Sequence, residues 1–402
     1  MVFMRLIIFF VLFLSGAAKA LPVGGQVIQG QAQLQHNSAI LNINQAGDFL
    51  HLQFDEFNVS AGELVNFNQP NIDAIAISEV LNRDPTEIAG QINANGQLFI
   101  LAPGGLILHE GASIEAASLF VSTLQSSSVD QDSIQFSSQE AVGITNHGLM
   151  RVSGGGYLQL LSGDIANYGQ LENQAGDVGL HVAQTAMVKF DQEVIAIELQ
   201  QSALEGVIEN HGQIKARGGD VVLQASVRNQ INELVINNQG DIQANTIFQE
   251  GGDIYIGSNE GDIENHGLIE SIGSENTHRE QKIHIESQRI ANFGVIKNNA
   301  LGEGTAGDVE LLAKDMVVLM SGSLIQSNAH ELGDGGNVKV FSPNAAIFRQ
   351  GARIEAEAGF NLGNGGFVDV SGWQHIEING RVSTLATNGD NGTFLIDPYN
   401  VT

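Results

Sequence analysis

At 402 residues the chain exceeds what one compact core usually holds, so it forms either several domains or an elongated array. Glycine is abundant (48), proline is scarce (6) and 43% of the residues are hydrophobic, which excludes a disordered chain and favours an all-β protein rich in turns. With 45 acidic and 17 basic residues the net charge is -28, which repels phosphate backbones and anionic lipid and excludes nucleic acid as a partner.

The first segment reads as a targeting signal. Arg5 provides a positive start, Leu6 to Leu14 an apolar run, and Ala18-Lys19-Ala20 a small-x-small cleavage pattern, so residues 1–20 are expected to be removed after Ala20. The apolar run is too short to span a bilayer. The chain has no cysteine, so an exported form cannot be trapped by disulfides before a second membrane. From Leu21 to Leu50 polar and apolar residues alternate, as in Ala39-Ile40-Leu41-Asn42-Ile43-Asn44. A β-array needs its first strands covered, and this segment is the candidate N-terminal cap. Asn66, Asn68, Gln69, Pro70 and Asn71 then make a polar turn between apolar strands.

From Gly90 to Gly111 the chain runs GQINANGQLFILAPGGLILHEG. Asn95-Gly96 and Pro103-Gly104-Gly105 supply turns, and the strands between them are apolar on both sides, as when both faces are covered. This stretch resembles the haemagglutination-activity (secretion) domain of two-partner-secretion exoproteins, the filamentous haemagglutinin family, whose hallmark is ANGQ-hydrophobic-NPNG-hydrophobic-G-GA. FNVSAGELVNFNQPN (Phe57 to Asn71), AIAISEVLNRDPTEIAGQI (Ala74 to Ile92) and HEGASIEAASLFVST (His109 to Thr123) match in the same order. At the NPNG position the chain has Ala102-Pro103-Gly104-Gly105: both asparagines are gone, the Pro and final Gly remain, and a turn is still expected. The resemblance implies a secretion domain over residues 21–225. It also implies recognition by an outer-membrane barrel transporter through Asn66, Asn68, Gln69, Pro70, Asn71, Asn95, Gly96, Pro103 and Gly105, and export through the periplasm to the surface of a Gram-negative bacterium. There the product would serve adhesion or haemagglutination, with host-cell or bacterial surface receptors as partners, or would act as the stalk for a missing effector.

After Gly111 the chain repeats. Asn-x-Gly recurs at Asn146, Asn167, Asn210, Asn265 and Asn292, and between these units a Gly-rich turn launches a strand, as in GGGYLQLLS at Gly154, AGDVGLHVA at Ala175 and AGDVELLAK at Ala306. GASIEA at Gly111 and GARIEA at Gly351 are nearly the same words. In Val309-Glu310-Leu311 and Ile283-His284-Ile285 charged and apolar residues alternate, so each strand is half buried, and only stacked coils bury such faces. The reading is a right-handed parallel β-helix of about ten coils, with residues 226–402 as further repeats; a β-sandwich array fits the turn spacing less well. Each repeat asparagine is expected at a coil corner, tolerating the left-handed conformation and bonding the backbone or the next coil's Asn. The coils between Asn238 and Ile290 look less regular, and Glu275 to Lys282 looks like a protruding loop. Gly389–Thr402 resembles a strand that, in longer relatives of that family, leads into further repeats, so truncation is expected.

No catalytic chemistry stands out. His147, His211 and His266 share one repeat slot with Tyr168 and Phe293, so they do not converge as metal ligands must. Asp177, Asp220, Asp253 and Asp308 stand directly at strand starts, where capping suits them better than calcium binding. No cofactor or metal set is expected. The runner-up function is a β-helix polysaccharide-degrading enzyme, which would need two converging carboxylates that no spacing singles out.

Overall fold

The computed structural model describes residues 21–137, 142–190, 195–228, 234–245, 252–273 and 281–397. The signal reading at 1–20, with Ala18 and Ala20, and the run 275–280 lie outside these residues.

Alternating Val, Ile and Leu leave each strand one apolar edge, and the chain buries it by winding. A typical coil places Val178–Val182 on a first sheet, Ile208–Asn210 on a second and Gln213–Arg217 on a third. Each strand pairs in parallel with its counterpart one coil on, Val178 with Val221, Ile208 with Ile236 and Ile214 with Ile242. The result is a right-handed parallel β-helix. The third sheet has 14 strands. The first two merge into one ladder because Lys282–Asn292 and Asp308–Leu319 run unbroken round the corner between them. Every strand of the third sheet after the first pair is added in parallel, which makes more coils than the ten or so that the recurring units suggest, because the early coils carry no Asn-x-Gly unit.

Inward columns such as Leu171, Ile214, Ile242 and Ile269 are fully buried and form one continuous core. Each such side chain contributes about 1.5–3 kcal/mol against being left in water. On the outer face of the third sheet Glu115, Arg151, Glu172 and Lys215 are successive register partners, alternating acid and base, so cross-strand charge helps set the stacking.

Four features differ from the sequence reading. The cap is shorter: Gln26–Gln29 and Ala32–Asn37 pair antiparallel onto Phe49–Phe54 and Ile40–Gln45, Val23 adds an isolated antiparallel bridge to Glu56, and the partner strands already belong to the first coil. The described strands from Asn238 to Ile290 pair in parallel with a single register shift, between Ser287 and Arg289, and Lys282 opens a strand rather than ending a loop. The repeat asparagines are not left-handed: Ser38 is the one non-glycine with positive φ among the described residues. A four-stranded antiparallel sheet, Gln125–Val129, Ser133–Ser137, Thr185–Phe190 and Ile195–Gln201, lies outside the helix on the first sheet. It covers a second apolar cluster in which Phe99 packs on Phe120 (5.2 Å) and Phe190 (4.8 Å), and Phe120 on Phe136 (5.7 Å). That is why Gln97–Leu101 is buried on both faces.

Candidate functional site

The polar turn and the Asn-Gly turn meet at one corner, on adjacent coils. The Gln69 backbone N–H donates to Asn95 Oδ1 (2.7 Å), and Asn95 Nδ2 donates back to the Gln69 carbonyl (2.9 Å). Gln69, buried, accepts from the Gly96 N–H (2.9 Å) and donates to the Gln97 carbonyl (3.1 Å). A Cβ at Gly96 would stand 2.6 Å from both the Ala74 carbonyl and Gln69 Nε2, so only glycine closes this knot. Asn66 and Asn68 donate to Asn42 and Asn44 one coil back, each at 2.9 Å, and Asn71 donates to Asp48 at 2.9 Å. Pro70 and Asn71 are exposed.

Pro103 and Gly105 lie elsewhere. The Gly105 N–H donates to the Ala102 carbonyl (2.9 Å), so the turn persists without the asparagines of the family's motif. Asn95-Gly96 and Pro103 sit at opposite ends of the strand Gln97–Leu101, about 16 Å long. The expected recognition residues therefore form one tied corner and one separate turn.

The repeat asparagines form a buried ladder at another corner. Asn146 donates to Asn167, then in turn to Asn210, Asn238, Asn265 and Asn292, each bond 2.8 Å. Asn238 was missed although Asn238-Gln239-Gly240 has the same spacing. The glycine of each unit answers to packing rather than φ: a Cβ at Gly169 would lie 2.1 Å from the Gly148 carbonyl oxygen. The aspartates cap strands, as expected: Asp177 accepts the Asp220 N–H (2.8 Å) and Asp220 the Asp253 N–H (3.0 Å).

One acid stands apart. Burial pushes the Glu79 carboxyl up, but hydrogen bonds from His51 (3.1 Å), Ser126 and Gln53 (2.9 Å) outweigh it and hold the pKa at about 2. The serine hydroxyl goes to the carboxylate and not to the imidazole, so this Ser, His and Glu do not make an activated nucleophile. They lie 28 and 47 residues apart in pairs, beyond any local spacing signal. His181, buried against Gln159 (2.9 Å), is pushed down to about 4 by desolvation. Among the described residues no three His, Cys, Asp or Glu are grouped to hold a metal ion.

Beside the asparagine ladder, His147, Tyr168 and His211 stack ring on ring at 4.9 and 4.8 Å on successive coils, and His266 stacks on Phe293 at 4.2 Å. A groove of about 540 Å³ runs along this column over the bare glycines.

A family model described as the TPS secretion domain matches residues 17–271. Two curated relatives are heme/hemopexin-binding proteins of Haemophilus influenzae. One, of strain Rd, is 29% identical over 107 residues, 27% of this chain and 12% of its own length. The other is 30% identical over 129 residues, 30% of this chain and 14% of its own length. The matched segment thus spans only a small part of those proteins. Among solved structures, the HMW1 secretion domain from Haemophilus influenzae superposes with a TM-score of 0.78 at 23% identity, covering 94% of this chain and all of that one, and so shares its fold.

Proposed function

The chain belongs to the TPS secretion-domain family, and from that membership we propose that it is the exported member of a two-partner secretion pair. In this reading its N-terminal coils are recognised by a dedicated barrel transporter in the outer membrane of a Gram-negative bacterium. The family match over residues 17–271 carries the proposal. The tied corner of Gln69, Asn95 and Gly96 supports it, because it gathers motif residues from two coils and leaves Pro70 and Asn71 open to a partner. The signal at residues 1–20 would deliver the chain to the periplasm. Stacking of coils outside the cell, each templating the next, would draw the remainder through. At the surface the solenoid serves adhesion or haemagglutination toward host-cell or bacterial receptors, or carries an effector. The division into 21–225 for transporter recognition and 226–402 for further repeats is part of the proposal. Chains ending at 225 and at 271 test it by comparison of their export.

The decisive experiment measures release of the chain into medium with and without its transporter. It is run beside a variant with Asn66→Ala, Asn68→Ala and Asn71→Ala and a control with Asn42→Ala and Asn44→Ala. The control breaks two of the same side-chain bonds from the other side and leaves the motif intact. Release that needs the transporter, is lost in the motif variant and survives in the control is the expected result. Release without a transporter, or equal release of all three chains, removes the reading.

A further inference from the structure

The groove along the ring column is lined by four successive coils, through Ser113, His147, Tyr168, Gln170 and Gln213 over a floor of glycines, a run of about 14 Å. Its floor is bare because stacked glycines exclude any Cβ: at Gly212, as at Gly169, a Cβ would meet the preceding carbonyl oxygen at 2.1 Å. Stacking between His147 and His211 covers both faces of the Tyr168 ring, which still remains 46% exposed. Among the described residues neither the His147 ring nor the Tyr168 hydroxyl has a hydrogen-bond partner.

The geometry points to a binding site for a neutral, hydroxyl-rich chain, an oligosaccharide lying along the solenoid axis. The lining chemistry selects this class. Imidazole, phenol, hydroxyl and primary amide groups each donate and accept, as sugar hydroxyls do. The one Asp, Glu, Lys or Arg in the lining is Glu115, paired with Arg151 at 3.7 Å, so nothing there neutralises an anion, and the net charge of -28 opposes one. A peptide strand cannot add to the floor, because the N–H groups of Tyr168 and Gly169 both already bond the Asn146 carbonyl (2.8 and 3.0 Å). The site is separate from the corner assigned to transporter recognition, and its test does not pass through export.

The purified full chain, carrying ¹³C-labelled histidine, is titrated with chitotetraose, maltotetraose and mannotetraose, with sialyllactose as the anionic probe and oligolysine as the cationic one. At least one neutral tetrasaccharide shifts the His147 ring signals saturably, with a dissociation constant of about 1 mM or tighter. Tyr168→Ala weakens that binding about tenfold, while Phe293→Ala, on the same corner beyond the groove, leaves it unchanged. Circular dichroism checks that both variants keep the parent fold. The proposal is overturned by the absence of a saturable shift from any neutral sugar at about 10 mM. It is equally overturned by parent-like affinity in a folded Tyr168→Ala, or by shifts only from sialyllactose or oligolysine.

Discussion

Asn210 shows what one side chain does in a stacked fold. It is fully buried, donates to Asn238 and accepts from Asn167, both at 2.8 Å, so its ladder bonds tie it to the coils on both sides. Asn210→Ala would leave the Asn167 amide with only its long bond to the Gln213 carbonyl (3.4 Å) and the Asn238 carbonyl without its donor, at about 1–3 kcal/mol for an orphaned group. Because coils contact only their neighbours, the damage should stay local. Hydrogen exchange is expected to speed up in Asp164–Asn167 and Leu234–Asn238 and to remain at parent rates in Phe367–Gly372. Unchanged exchange at the two flanking strands would show that the ladder contributes no stability. The neighbouring glycines have a different physical role, since a Cβ on each would stand 2.0–2.2 Å from the carbonyl oxygen of the preceding coil, and no backbone angle is involved.

At the scale of elements the outer four-stranded sheet is the part that departs from a plain solenoid. It is made from two hairpins inserted after two different coils, and its inner side seats Phe136 and Phe190 on Phe99 and Phe120. Ser126, on its first strand, reaches Glu79, which His51 and Gln53 also hold, so one carboxylate links this sheet to the first coils. Its folded pKa of about 2 lies below the ordinary 4.5. The stability it contributes is therefore fully present above about pH 4.5 and lost as pH falls toward 2. Thermal melting of the parent and of Glu79→Gln across pH 2–7 checks this. The variant should melt lower at pH 7, and the gap should close on acidification. A gap that stays constant with pH would assign the loss to packing and not to charge. Taking the difference between the two proteins removes other acids such as Glu310, whose pKa is also lowered. There too burial raises the value, and bonds from Lys282 and His284 outweigh it.

For the whole molecule the decisive question is how a stack of strands ends. At the N-terminal end Gln26–Gln29 and Ala32–Asn37 reverse direction and pair antiparallel with the first coil, satisfying the backbone groups that the coil would otherwise present. Phe54, Phe57 and Phe67 fill the core just behind, with Phe54 and Phe57 ring centroids 4.9 Å apart. Removing residues 21–37 would bare the edges of Ile40–Gln45 and Phe49–Phe54 and the apolar ends beneath them. The expected result is concentration-dependent self-association, read by sedimentation velocity against the parent chain. A truncated chain that stays monomeric would mean the two antiparallel strands are dispensable as a cap.

Most of the solenoid was legible in the residues themselves. Alternation in Val309-Glu310-Leu311 and the recurring Asn-x-Gly and Gly-rich turns demand strands buried on one side, and only stacking satisfies many such strands in turn. The double-sided burial of Gln97–Leu101 was visible too, because its residues are apolar in both directions. The sequence could not say what covered the outer side: the covering strands come from 125–137 and 185–201, and nothing local links them to Phe99. The motif residues were readable as a set, but their separation into the Gln69–Asn95 corner and the Pro103 turn depends on which side of the solenoid each turn falls. The same holds for His51, Gln53, Glu79 and Ser126, and for His147, Tyr168 and Ser113. Strand identity follows from a local period of two, so sequence alone determines it. Which side chains share a corner depends on the length of each coil. That length is set by where insertions leave and rejoin the helix, and only the tertiary structure decides it.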